Sequence, residues 1–438
     1  MELDSLRDDI KRIYIRYLSA AIGSALISSI YSIVDMAMVG QSQGPDGTAA
    51  LAVIAPLWNI IYASGLLMGI GGSVLFSVRR GRGNGGENEF FTASVIGSVI
   101  LSLLEWMVLL FFSKPCLSFF GGNERLIELA EIYLYPIKFV FPLFLMNQML
   151  AAFLRNDNDP ELAAFAVLFG GVLNAVCDYL FVFPLGLGIF GAGLATGLGA
   201  LVTFLIMCIH FALKRNTLRL KMPCNLLYDI AQVFRAGAST FVVDVSMGVM
   251  TVLFNRQIMK YLGPDALAVY GPIINISTIV TCSAYSIGES SQPIISANYG
   301  ASCFDRINEA LRLGIKTSFI FGSFFMLISE LFPIGTLKIF FTPDEEMIKM
   351  SARAIRLYSL SYMLLPFNVY SSYYFQAIEK HSIAFAVSVM RGIVLSSMMI
   401  MLLPLIDAES VWLSMTFTEL ITSGFVIFEI RKSINNHQ

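Results

Sequence analysis

Two carboxylates, an amide and a hydroxyl fall inside long apolar stretches of this 438-residue chain. Asp35, Asp178 and Thr196 each lie five or six residues from the glycine or proline that bounds their stretch. At 1.5 Å per helical residue, all three oxygen groups are expected roughly 8 Å below the same membrane face. Asn174 lies one turn from Asp178, as Tyr31 lies one turn from Asp35. Such a set suits a hard cation such as Na⁺, or one proton shared by two carboxylates that do not readily both ionise.

The composition indicates that the solvent of this chain is a lipid bilayer. Apolar residues make up 56% of the chain and charged residues only 14%, whereas soluble domains carry about 25% charged residues. A soluble enzyme, a nucleic-acid binder and a disordered scaffold are therefore not expected. The six cysteines form no CxxC pair, so neither a disulfide framework nor a zinc site is predicted.

About twelve apolar stretches are long enough to cross a bilayer, at roughly 20 residues each. The short connections leave no room for a separate soluble domain, so the function must lie within the bundle. The predicted fold is an all-α integral membrane protein with twelve transmembrane helices. The predicted spans are 13–39, 49–77, 90–112, 127–153, 161–183, 190–213, 229–259, 266–297, 308–332, 348–377, 382–404 and 409–430.

Lysine and arginine are distributed unevenly between alternate loops. Seventeen of them fall on one side of the predicted membrane and eight on the other. Since the richer side is cytoplasmic, an even number of spans places both termini in the cytoplasm. The predicted location is the cell membrane, crossed many times.

The chain repeats itself at a nearly constant offset of about half its length. Leu-Ala-Val at 51–53 returns at 267–269, and Ala-Phe-Ala-Val at 164–167 returns at 384–387. Two sets of six spans in the same orientation form a parallel repeat with pseudo-two-fold symmetry, and the substrate path is expected between them. The predicted parts are an N-lobe at 1–213, a cytoplasmic linker at 214–226 and a C-lobe at 227–438.

The second half of the repeat is an internal control for the polar residues of the first. At the positions of Asp35, Asn174, Asp178 and Thr196 it carries, in that order, Phe254, Val394, Met398 and Thr416. Carboxylates needed only for packing would be expected in both halves. This difference favours an ion site, with a structural hydrogen-bond cluster as the alternative.

Other polar residues within spans are candidates for a substrate cavity or for structural pairs. Arg391 is expected to pair with Glu419, Glu289 or Asp244, and Glu105 is expected to pair with Lys138. Alternatively, Asp244 or Glu289 is a cavity anion for a cationic substrate. The cavity candidates are Asp244, Glu289, Tyr362, Asn368 and Tyr370.

Several motifs resemble the multidrug and toxic compound extrusion family. They are Tyr31–Asp35, Phe153–Asp157 with Pro160, Asn174–Asp178, Gly191–Thr196, Gln292-Pro293 and Asn298–Ala301. The resemblance implies two six-helix lobes around a central cavity, and extrusion of organic cations in exchange for inward Na⁺ or H⁺. It also implies that Asp35, Asn174, Asp178 and Thr196 bind the coupling cation. Span 10 lacks the mid-membrane carboxylate of some relatives, so a second ion site is not expected in the C-lobe.

Other classes of function make different demands on the residues. No HExxH, GxSxG or Walker motif occurs, so an enzyme and an ATP-driven pump are not expected. A flippase or exporter of a lipid-linked or amphipathic metabolite in the same superfamily is the alternative. Its cavity would be expected to carry several cations, whereas mid-span cations are limited to Lys138, Lys316 and Arg391.

The expected partners follow from an ion-driven exporter. They are a small, cationic and amphipathic substrate and the lipid bilayer, with no nucleic acid, and the chain is expected to act as a monomer. No cofactor is expected besides the coupling ion. A metal site for Na⁺ would use Asp35, Asn174, Asp178 and Thr196. Protons, with Na⁺ competing at the same site, are favoured slightly because the cluster has few assured neutral ligands.

Overall fold

All regular secondary structure in the described part of the chain is helical. The computed structural model describes residues 6, 8–213, 216–334 and 345–435, without the side chains at 26–33, 264, 265, 268 and 345–347. The α-helices are α1 (Ile10–Arg82), α2 (Glu87–Phe119), α3 (Glu124–Ile137), α4 (Phe141–Asn156), α5 (Pro160–Val182), α6 (Gly188–Cys208), α7 (Leu226–Tyr261), α8 (Pro264–Gly300), α9 (Phe304–Leu331), α10 (Glu345–Ser359), α11 (Leu365–Ala377), α12 (His381–Val389), α13 (Leu395–Leu402) and α14 (Ser414–Asn435).

The helices follow the predicted spans, with differences in continuity. The predicted span 348–377 is divided between α10 and α11, and the predicted span 382–404 is divided between α12 and α13. α1 runs through the first two predicted spans and changes direction at Gly44, whose φ of 66° and ψ of −156° suit glycine. The fourth span is broken into α3 and α4, which meet at 63°. Pro142 is the second residue of α4, where its missing N–H costs no helical hydrogen bond. Within the described residues, eight helices are long and apolar enough to cross a membrane, or nine with the bent pair.

The described chain forms two compact units. Unit 1 contains Ser19–Asp244, and unit 2 contains Asp8–Leu18 together with the chain from Val245 onward. The first part of α7 thus packs within unit 1, against α1. One apolar core of unit 1 surrounds Tyr133 and Phe141, and a second surrounds Met149 and Phe153. The first core holds α3 against its neighbours and so fixes the position of Tyr133.

The backbone carries the same turns in both halves of the chain. Three positions with positive φ in the first half have counterparts in the second half at a nearly constant offset. They are Gly44 and Gly263, Gly83 and Ser302, and Asn158 and Glu379. Non-glycine residues seldom adopt this conformation. Three coincidences at nearly one offset are therefore backbone evidence for the internal repeat.

Candidate cation site

Five polar side chains from four helices meet inside unit 1. The hydroxyl of Tyr133 donates to Asp35 Oδ2 at 3.0 Å and lies 3.1 Å from Thr196 Oγ1. Asn174 Nδ2 donates to the same Thr196 oxygen at 3.3 Å. Asp178 and Asp35 interact electrostatically. The structure thus brings together the four residues singled out in the sequence; their ion-binding role stays a prediction.

The site is rich in oxygen atoms that lack hydrogen-bond donors. Among the described residues, Asp35 Oδ1, Asn174 Oδ1 and both carboxylate oxygens of Asp178 are buried without a hydrogen-bond partner. Asp178 is 0% exposed and Asn174 is 3% exposed. A buried carboxylate is costly unless a cation or a proton compensates it. The arrangement can therefore hold a proton or a hard cation.

Two glycines of α6 bring its neighbours close enough to form the site. A methyl group at Gly193 would overlap the backbone oxygen of Tyr133, so α3 lies directly against α6 one turn before Thr196. A methyl group at Gly199 would lie 3.1 Å from Asn174 Cβ. The absence of side chains at these positions explains how Thr196 reaches both Tyr133 and Asn174.

Two tyrosines differ from the other members of the site. The predicted member Tyr31 lies outside the side chains that the structure describes, and its membership stays a prediction. Tyr133 was missed by sequence reasoning, although it links Asp35 to Thr196. A tyrosine within the fourth predicted span was the available signal, but its depth depends on the break between α3 and α4, which periodicity does not reveal.

In unit 2, the positions equivalent to the site residues of unit 1 are mostly apolar. Phe254, at the position of Asp35, stacks on Tyr270 at 5.0 Å between ring centroids. Thr416 donates to the backbone oxygen of Leu357 at 3.3 Å. Val394 and Met398, at the positions of Asn174 and Asp178, are 52% and 40% exposed. The equivalent positions of unit 2 therefore form no oxygen cluster among the described residues.

The substrate-cavity candidates do not converge on one cluster among the described contacts. Tyr362 contacts Ser277 Oγ at 3.0 Å, while the Tyr370 hydroxyl donates to the Ala310 backbone oxygen at 3.4 Å. Asn368 Nδ2 donates to Glu419 Oε2 at 2.7 Å. All three are buried inside unit 2. Asp244 ends the unit 1 segment, and Glu289 lies half-buried on α8. A role for these five residues in binding substrate stays a prediction.

One of the two predicted structural ion pairs is present and the other was wrong. Arg391 Nε donates to Glu419 Oε1 at 2.7 Å, in agreement with the prediction. Lys138, however, pairs with Glu131 at 2.8 Å instead of Glu105. Lys138 follows α3 with helical backbone angles and lies seven residues, or about two helical turns, after Glu131, so the two side chains share one face of the helix.

Long apolar helices in a duplicated set, with two carboxylates buried in one half, are features of multi-span membrane transporters. The profile of the MatE family matches residues 20–180 and 240–402, so one matched segment falls in each half of the repeat. This chain belongs to the MatE family, as its motifs predicted.

Named relatives and solved structures agree with this assignment. The chain is 24% identical over 358 residues to "Probable multidrug resistance protein YoeA" of Bacillus subtilis, covering 78% of this chain and 75% of that one. It is 22% identical over 343 residues to "Multidrug export protein MepA" of Staphylococcus aureus, covering 77% and 75%. A solved "multidrug resistance MATE family transporter of the MOP superfamily" superposes with a TM-score of 0.91 at 21% identity, covering 100% and 98%. The fold is that of twelve transmembrane helices in two six-helix lobes.

Proposed function

We propose that this protein is a secondary active exporter of small organic cations, driven by the inward movement of H⁺ or Na⁺ through the site of Asp35 and Asp178. The observation that carries the proposal is the set of four buried oxygens without donors on Asp35, Asn174 and Asp178. The multidrug names of two relatives support export of amphipathic compounds as the task.

The proposed mechanism is alternating access with mutual exclusion between ion and substrate. A cation that enters from outside neutralises the carboxylates and favours the conformation that releases the substrate. Substrate entering from the cytoplasm favours the opposite conformation. Each ligand shifts the equilibrium only by the difference in its affinity for the two conformations.

The proposed setting is the cell membrane, with both termini in the cytoplasm and the chain acting as a monomer. The count of seventeen basic residues against eight in alternate loops supports this orientation. It places the cation site towards the outer face, where the coupling ion enters. No cofactor is part of the proposal.

The residues favour protons slightly over Na⁺ as the driving ion. A proton needs only the two carboxylates. Because two neighbouring carboxylates do not readily both ionise, the pair tends to retain one proton. A Na⁺ ion would need about five or six oxygens. Asp35, Asn174, Asp178 and Thr196 supply at least four, so the backbone or water would have to complete the shell. We therefore propose H⁺ coupling, with Na⁺ competing for the same oxygens.

A flippase or exporter of a lipid-linked metabolite is the second candidate. A pyrophosphate-bearing substrate calls for several free cations. Arg391 is bonded to Glu419, and Lys138 is bonded to Glu131. Two of the three mid-span cations are therefore already paired within their own units, and this observation favours the exporter of cations.

Transport in proteoliposomes with separately imposed gradients tests the proposal. A fluorescent organic cation should be extruded when a pH gradient is imposed without Na⁺, and addition of Na⁺ should slow the exchange. If extrusion requires millimolar Na⁺ and persists after the proton gradient is collapsed, the coupling ion is Na⁺ and not H⁺. Failure of both gradients to drive any organic cation would overturn the exporter itself.

A further inference from the structure

A second buried group of charges lies at the other end of α5 from the cation site. Asp159 directly precedes α5, whereas Asp178 lies 19 residues further along it, a separation of roughly 28 Å. The group centres on His210, which follows α6 and is 0% exposed. Asp157 and Asp159 are also buried, and both belong to the turn between α4 and α5.

Both ring nitrogens of His210 face carboxylates. Nε2 lies 2.8 Å from Asp157 Oδ2, and Nδ1 lies 2.9 Å from Asp159 Oδ2. A neutral imidazole carries one N–H and an ionised carboxylate carries none. Both contacts are hydrogen bonds only if the group holds one additional proton. Since imidazole is a stronger base than a carboxylate, that proton lies on the ring.

The charged neighbours of the ring favour its protonated form. Asp157 and Asp159 bring two carboxylates to the two ring nitrogens, and a nearby negative charge stabilises an imidazolium. Arg80 of α1 donates to Asp157 Oδ1 at 2.9 Å. Glu89, near the start of α2, pairs with Arg79 and Lys221.

The same carboxylate also holds the linker that follows α6. The backbone N–H of Thr217 donates to Asp157 Oδ2 at 2.9 Å, and the Thr217 hydroxyl donates to Asp157 Oδ1. Asn88 of α2 continues the attachment: its Nδ2 donates to the Thr217 backbone oxygen at 3.2 Å, and its Oδ1 accepts from the Arg219 N–H at 2.7 Å. The Lys221 N–H donates to Thr92 Oγ1 at 2.8 Å. Residues 217–221 are thus fastened along unit 1.

We propose that His210 is a proton-binding site, separate from the cation site, and that its imidazolium fastens linker residues 217–221 to unit 1. The ligand of this site is H⁺. When His210 loses the proton, one ring nitrogen presents a lone pair to a carboxylate. The group then carries one positive charge less, and where Nε2 is the nitrogen that loses its hydrogen, Asp157 loses a donor that holds it in place for Thr217. The attachment of the linker then depends on the pH at this end of the unit.

Nitrogen NMR of histidine side chains tests the protonation of the unmodified protein. The chain has three histidines, so ¹⁵N-histidine labelling gives a resolvable spectrum, and His381→Asn and His437→Asn variants assign it. We expect His210 to show two protonated ring nitrogens at pH 7.5, where an exposed histidine is neutral. A neutral ring with one protonated nitrogen at that pH would overturn the proposal.

Hydrogen exchange of the linker amides tests the consequence. Glutamine, like neutral imidazole, donates from only one end, so His210→Gln imitates the deprotonated state. We expect the exchange rate of the amides at 217–221 to rise about tenfold in this variant. After correction for the intrinsic pH dependence of amide exchange, the rate in this variant should no longer change with pH. The double variant Asp159→Asn with His210→Gln removes one of the two carboxylate charges that face position 210 and should restore most of the protection.

His381→Gln is the matched control for exchange and should leave residues 217–221 unchanged. Equal linker exchange in His210→Gln and the parent protein would show that the proton does not fasten the linker. If His210→Gln does not fold, exchange of the parent protein across pH decides the question. Protection that does not fall as His210 loses its proton in the NMR titration also overturns the proposal. Transport need not be measured, so these outcomes are independent of the proposed export function.

Discussion

Asn147 and Asn368 make the same hydrogen bond in the two halves of the chain. Nδ2 of Asn147 donates to the backbone oxygen of Ala200 at 2.9 Å, and Nδ2 of Asn368 donates to that of Glu419 at 2.9 Å. Donors and acceptors are both related by nearly the offset of the sequence repeat. The duplicated contact therefore survives, although the second half adds a carboxylate at the acceptor residue. That carboxylate is compensated by Arg391, which aligns with an uncharged glycine of the first half, Gly171.

Replacing only one partner of the Arg391–Glu419 pair should destabilise the protein more than replacing both partners. Arg391→Gly alone leaves a buried carboxylate without its cation, and we expect a loss of about 3–5 kcal/mol. Arg391→Gly combined with Glu419→Ala removes both charges of the pair and should be more stable than that single variant. Thermal unfolding of the three purified proteins in one detergent measures the difference. A double variant as unstable as Arg391→Gly would show that the pair stabilises the fold beyond compensating its own charges.

Asp35→Asn and Asp178→Asn should each abolish gradient-driven efflux while the protein still folds. The amide keeps the volume and the capacity for hydrogen bonding but removes the charge that a cation neutralises. Asp46→Asn is the matched control, since Asp46 is also on α1 but its side chain is 57% exposed and pairs with Arg125 at 3.6 Å. Efflux in proteoliposomes, with thermal unfolding as the check on folding, gives the result. Full efflux by both site variants would remove the proposed coupling role.

Asn174→Leu and Thr196→Val separate the two candidate ions. Both variants remove neutral oxygens that a Na⁺ ion needs and a proton does not. With H⁺ as driver, the pH profile of efflux should shift and Na⁺ should have little effect on the rate. With Na⁺ as driver, the half-maximal Na⁺ concentration should rise while the rate at saturating Na⁺ is preserved. Efflux measured over a grid of pH and Na⁺ concentration distinguishes the two cases.

Gly237 and Gly248 lie on the same helix and should respond oppositely to a methyl group. At Gly237 a Cβ would overlap the backbone oxygen of Leu67 on α1, whereas nothing lies within 4 Å of a Cβ at Gly248. Gly237→Ala should cost about 1–3 kcal/mol, as overpacking does. Gly248→Ala should be neutral or stabilise α7 by up to about 1 kcal/mol. Thermal unfolding compares them, and equal stability would contradict the close crossing of α1 and α7.

The sequence was sufficient for most of the helices and for grouping the polar residues of the site. Hydrophobic length predicts each span, and the distance to a boundary proline or glycine predicts depth, so Asp35, Asp178 and Thr196 could be grouped. Rotation about the helix axis is less accessible, because it depends on which neighbour packs against which face. For that reason Tyr133 was missed and Lys138 was assigned to Glu105.

The repeat was detectable because short apolar motifs and turns kept their spacing. The polar contacts of the two halves were harder to predict, because they differ. Arg391 of the second half aligns with Gly171, so the first half has no charged pair equivalent to that of Arg391 and Glu419. Contacts that join distant segments, such as Asp157 with Thr217, depend on a turn and a linker whose paths no periodic pattern describes.

An ion bound at the proposed site of Asp35 and Asp178 would also be a folding ligand. A cation that binds only the folded protein adds about 2.7 kcal/mol of stability at one hundred times its dissociation constant. The melting temperature of the protein should therefore rise with the concentration of the ion that fits the site, and the Asp178→Asn protein should lack this response. The salt and pH of the purification buffer thus become variables that can reveal the ion before any transport is measured.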